Sequence, residues 1–116
     1  MATFAALRRF GLSLPGVVEH PHMGQPSLRA NGKMFALWWP PEKTTIMKLE
    51  RHHQDMLFEV RPEIFTPCKV GTGRWSYVKI SALDSAELRA LVVEAWGQVV
   101  PKKISRAFSA APSRAS

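Results

Sequence analysis

Near the start of the chain, Phe4, Leu7, Phe10 and Leu14 recur every three or four positions, with Arg8 and Arg9 between them. That spacing predicts a short amphipathic helix. Thr3 is placed to cap it and Pro15-Gly16 to stop it. From Ser27 the period shortens. Residues 27–30, then Asn31-Gly32, then residues 33–39 predict a β-hairpin, because Asn-Gly suits the two positive-φ positions of a type I′ turn. Residues 40–43, Pro-Pro-Glu-Lys, break the pattern, and the β-branched run from Thr44 to Leu49 predicts a third strand.

Helical spacing returns from Glu50 to Val60, with Leu49, His53, Met56, Leu57 and Val60 on one side, and ends before Pro62. A strand over residues 67–70, a Gly71-Thr72-Gly73 turn and the alternating run from Trp75 to Ile80 predict a second hairpin. In that run Trp75, Tyr77 and Lys79 share a face. The last helix has the clearest start. Asp84 is its N-cap, Glu87 completes a capping box, and Leu83 and Leu88 form a hydrophobic staple. Leu88, Leu91, Val92, Ala95, Trp96 and Val99 make a stripe broad enough to cover a sheet, and Pro101 closes the helix.

The predicted order is α-β3-α-β2-α, a two-layer α+β domain with helices packed on one side of an antiparallel sheet. Residues 1–101 form that domain. Residues 102–116, rich in Ser, Ala and basic residues, read as a flexible tail.

Length and charge narrow the function classes. A chain of 116 residues fits one small domain, and 46% hydrophobic with 22% charged residues is an ordinary globular composition. The formal charge of +7 points toward an anionic partner, but it is unevenly spread. Residues 1–100 carry twelve Lys+Arg against nine Asp+Glu; Lys102, Lys103, Arg106 and Arg114 follow with no acid. More than half of the excess therefore belongs to the last sixteen residues. The single cysteine, Cys68, excludes a disulfide framework and suits a reducing, cytoplasmic setting. Arg8-Arg9 is not followed by the apolar run that an export signal needs, and residues 34–39, the densest apolar stretch, are far too short to span a bilayer, so no membrane partner is expected.

Candidate chemistry is sparse. His20, His22, His52 and His53 lack zinc-site spacing and a cysteine partner, so surface histidines are the simpler reading and no metal is expected. Gly71-x-Gly73-Arg74 lacks the Lys-Ser/Thr and the following helix of a phosphate loop. Cys68 as a nucleophile would need His20, His22 or His53 brought to it by the fold, and Asp55/Glu59 is a solvated helix face. No catalytic residue and no cofactor are expected. The tryptophans are more informative. Trp38 and Trp39, adjacent on a strand, must face opposite sides of the sheet. In the simpler case helices cover one and a terminal segment the other; in the functional case one is a stacking platform for bases.

The strings Leu14-Pro15-Gly16-Val17-Val18-Glu19, Gly24-x-Pro26-Ser27-Leu28-Arg29 and Gly32-Lys33-Met34-Phe35-Ala36, followed by Lys48-Leu49 and Gly73-Arg74-Trp75, resemble the MmcQ/YjbR family in order and spacing over residues 3–100. The resemblance implies a two-layer fold similar to that of type III secretion chaperones, a cytoplasmic domain of double-wing, DNA-binding-like character, and no catalytic set. It makes the hairpins around Asn31-Gly32 and Gly71-Gly73 the wings. The basic residues near the hairpins, Arg29, Lys33, Lys48, Arg74 and Lys79, line a phosphate-facing surface if they cluster and are otherwise scattered solubilising charge; the wing locations implied by the resemblance single out Arg29, Lys33, Arg74 and Lys79. The leading expectation is a non-enzymatic domain, monomer or weak dimer, that binds DNA or another nucleic acid through phosphates with weak sequence preference. The alternative is a peptide or protein interaction module using a sheet edge or apolar groove.

Overall fold

The computed structural model describes residues 2–39, 44–68 and 75–110, with side chains through Phe108. Helix α1 spans Phe4–Leu12, followed by β1 (Val18–His22), β2 (Gln25–Ala30), β3 (Lys33–Trp39) and β4 (Thr44–Lys48). Helix α2 (Arg51–Val60) leads to β5 (Phe65–Cys68) and β6 (Trp75–Val78), then a single 3-10 turn, α3 (Ser85–Gly97) and α4 (Lys102–Ala110). The six strands form one antiparallel sheet in the order β1-β2-β3-β4-β6-β5. Within it β4-α2-β5 is a split β-α-β unit whose gap β6 fills.

The α+β architecture with helices on one side matches the expectation, and three details correct it. First, β1 precedes the predicted strands. Val18–His22 is mostly exposed and carries a proline, so it shows no alternation; pairing with β2 makes it a strand. Second, β5 starts at Phe65 instead of residue 67, while the glycine turn predicted at 71–73 lies outside the described residues. Third, the segment read as a tail opens with a helix. Phe108 of α4 meets Trp96 edge-on at 5.3 Å between ring centroids, and Ile104, Ala107 and Phe108, at i, i+3 and i+4, give the helix an apolar side opposite its basic residues.

The main core lies between sheet and helices. Trp96, Phe35, Phe65, Leu7, Leu28 and Met47 are its largest fully buried side chains. The indole N–H of Trp96 donates to the Pro15 carbonyl at 3.0 Å, tying α3 to the turn that follows α1. Gly11 permits the close approach of α1 to β2, since a Cβ there would stand 2.4 Å from Leu28 Cδ1.

The caps follow the sequence closely. Thr3 accepts from the Ala6 N–H, and Asp84 from the Glu87 N–H at 2.8 Å. The capping box is only half made, because the Glu87 carboxylate is engaged by the Arg61 guanidinium. Helix α2 sits differently from the prediction. It buries Gln54 and Leu57 and leaves Met56 and Val60 exposed. Gln54 Nε2 donates to Ser76 Oγ at 2.8 Å beneath the helix, and His53 Nδ1 lies 2.6 Å from Glu94 on α3. These polar anchors set the rotation of α2 and override its apolar pattern.

Candidate nucleic-acid interface

Alternation along the strands divides their side chains between the helix-covered side and an open face. The paired residues Ser27, Leu37, Ile46, Tyr77 and Thr66 run in one row across β2, β3, β4, β6 and β5. A second row holds Lys48, Trp75 and Cys68; Trp39 lies opposite Thr44 in a third. On this face Leu37, Ile46 and Cys68 form a small second apolar cluster, with Met34, Trp39, Trp75 and Tyr77 packed around it and half-exposed. No residue of any described helix belongs to that cluster.

The two adjacent tryptophans separate as expected. Trp38 stacks on Phe4 of α1, ring centroids 5.1 Å apart, whereas Trp39 joins the open-face cluster. The expectation that a terminal segment covers the second tryptophan is not met among the described residues. The terminal segment covers Trp96 instead.

Of the five basic candidates, the fold brings three to the open face. Arg29 lies opposite Met34 and Val18, Lys48 sits over the Trp75 ring at 6.0 Å, and Lys79 continues the face of Trp75 and Tyr77. Arg29 Nε is buried without an acceptor, a loss of about 1–3 kcal/mol for a donor removed from water. Lys79 helps line an open groove of about 670 Å³ with Thr44, Thr66, Tyr77 and Ser81; Glu63 borders it. Arg74 lies outside the described residues.

Lys33 is a correction. From Trp39 and Leu37, strict alternation would place Phe35 and Lys33 on the open face. Pairing passes from Leu28↔Ala36 to Arg29↔Met34, leaving Phe35 as an extra residue in a β-bulge. Phe35 thereby enters the main core, and Lys33 falls opposite Ala30, on the helix side. The hairpin tip is also no free wing. Asn31 Nδ2 donates to the Val99 carbonyl at 3.0 Å, pinning the tip to the end of α3.

Apart from Glu63 beside the Lys79 groove, the described carboxylates lie elsewhere. Glu19 pairs with Arg8 on the helix side, Glu50 caps α2, Glu94 receives the Glu50 N–H and His53, and Glu87 receives Arg61. Asp55, Glu59 and Asp84 also belong to the helices and their caps. Among the described strand positions of the open face there is no acid. Sequence reading missed this separation, which shows only when the strand phases, bulge included, are assigned.

Other chemistry is dispersed. His20 and His22 lie on one edge strand and Cys68 on the other, five strand spacings or about 24 Å away. Trp38 faces the helices. Among the described residues no three His, Cys, Asp or Glu side chains converge, and no helix is long and apolar enough to cross a membrane. Both edge strands carry a proline, Pro21 in β1 and Pro67 in β5.

A family model described as YjbR matches residues 12–98. Among solved structures, the chain is similar to the crystal structure of Deinococcus radiodurans protein DR2400, described by its DUF419 domain. The TM-score is 0.74 at 17% identity, over 94% of this chain and 89% of that one, a likeness of fold. No curated protein matches the sequence.

Proposed function

This chain belongs to the YjbR family, and we propose that it is a non-enzymatic nucleic-acid-binding domain that uses the open face of its sheet. The observation that carries the reading is the sorting of charge. Arg29, Lys48 and Lys79 stand on a face whose described strand positions include no carboxylate, while the described acids other than Glu63, which borders the Lys79 groove, occupy the helical layer and its caps. A polyanion is attracted to the first surface, whereas on the helical side the acids are interspersed with Arg8, Arg9, Arg51, Arg61, Arg89, Lys102, Lys103 and Arg106. Contacts of this kind read phosphate and not base edges, so sequence preference is weak. The separation of Cys68 from His20 and His22 supports a non-enzymatic role.

The peptide-module reading shares the apolar belt, but its simplest mode is hindered. A proline in each edge strand interrupts the N–H row that an added strand would need. Fluorescence anisotropy with labelled oligonucleotides at two salt concentrations tests the proposal. Binding should be micromolar or tighter at low salt and weaken steeply as salt rises. Arg29→Gln and Lys48→Gln should each lower affinity and reduce the logarithmic salt slope by about 0.7–0.9. A flat titration at low salt removes the reading.

A further inference from the structure

We infer that the open face takes single-stranded nucleic acid in preference to duplex, with bases laid on Trp39 and Trp75; this rests on the reading above and adds the class of strand. Three features carry it. The face presents half-exposed indole rings, and only an unpaired strand has base faces free to stack on them. The element best suited to enter a duplex groove, the Asn31-Gly32 hairpin tip, is held to α3 through Asn31, and its Lys33 faces the helix side. The cations also alternate with the rings. Lys48 lies over Trp75, Arg29 stands opposite Met34, and Lys79 closes the far end beyond Tyr77.

Trp39 and Trp75 occupy different rows of the grid. Trp39 pairs with Thr44 and Trp75 with Lys48, so four residues along β4 and two strand spacings separate them, a diagonal of about 16 Å. A strand touching both rings must cross the Leu37, Ile46 and Tyr77 row between them. Its bases would meet apolar surface there while its phosphates reach Arg29 and Lys48.

The test titrates the full chain with a labelled 12-nucleotide single strand and with the same sequence as a duplex, at two salt concentrations. The single strand is expected to bind at least tenfold more tightly and to quench tryptophan emission. Trp39→Leu and Trp75→Leu are each expected to weaken single-strand binding by roughly 5- to 150-fold, the range implied by about 1–3 kcal/mol per stacked base. Neutralising α4 by replacing Lys102, Lys103 and Arg106 with Gln should change it less than twofold. Circular dichroism verifies folding, and if a leucine variant does not fold, quenching of the unaltered protein by single strand but not duplex decides the matter. Equal affinity for duplex overturns the inference. So does unchanged binding by both tryptophan variants while Arg29→Gln and Lys48→Gln still weaken it, an outcome that leaves the phosphate-binding reading intact. Binding of neither nucleic acid at low salt removes both readings.

Discussion

Ile46 and Met47 are neighbours on β4, and both are buried, yet they belong to different structures. Met47 is fully enclosed in the main core with Phe35, Leu88 and Trp96, whereas Ile46 sits 7% exposed in a cluster whose described surrounding residues, Met34, Trp39, Trp75 and Tyr77, are themselves half-exposed. Among the described residues, one side of the sheet is closed by helices and the other by its neighbours on the same sheet. Apolar surface that folding leaves partly open contributes less to stability and is available for binding.

Substitutions on the two sides should therefore separate stability from binding. The largest effect is expected at Phe35, where truncation to Ala empties the centre of the main core and costs about 3–5 kcal/mol in urea unfolding. A cost within the range of surface changes would mean that the bulge does not seat Phe35 as described. Next comes the adjacent pair. Met47→Ala should cost about 2–5 kcal/mol and Ile46→Ala no more than the lower end, because the Ile46 cavity opens toward solvent. Equal costs would erase the distinction between the faces. Ser76→Ala strands the Gln54 amide in the interior and should cost about 1–3 kcal/mol. If that loss is absent, the polar anchor does not set the rotation of α2.

The smallest effect is one of pH. The backbone N–H groups of His52 and His53 hold the Glu50 carboxyl below its ordinary value of 4.5. A carboxyl lowered by folding contributes stability that is fully present above its unfolded pKa and lost as pH falls through its folded pKa. Thermal unfolding midpoints should thus fall slightly on acidification below about pH 4.5. Glu50→Gln should remove that increment of acid sensitivity; a variant with the full acid response would assign it to other carboxylates.

The helical layer was more legible in the sequence than the open face. Asp84, its staple leucines and the stripe from Leu88 to Val99 describe α3 almost completely, because capping and periodicity are local. Asn31-Gly32 likewise marks its turn, with φ of 55° and 72°. What escaped depends on partners distant in sequence. Val18–His22 becomes a strand through β2, and α2 turns to place Gln54 on Ser76, twenty-two residues away. Arg29, Lys48 and Lys79 could be named as basic residues near strands, but their common face, and the loss of Lys33 from it, required the pairing register around Phe35.

Deleting residues after Pro101 is the obvious way to remove the excess basic charge, but the order of α4 makes it a poor control. It would also uncover Trp96, so charge and packing would change together. Replacing Lys102, Lys103 and Arg106 with Gln keeps Phe108 in place and changes charge alone.

The prolines of the two edge strands have a consequence for how this protein behaves at high concentration. A domain that displays tryptophan on a bare sheet would otherwise invite lateral growth, each molecule extending the ladder of the next into a filament. With Pro21 interrupting one margin and Pro67 the other, that growth has no clean seed.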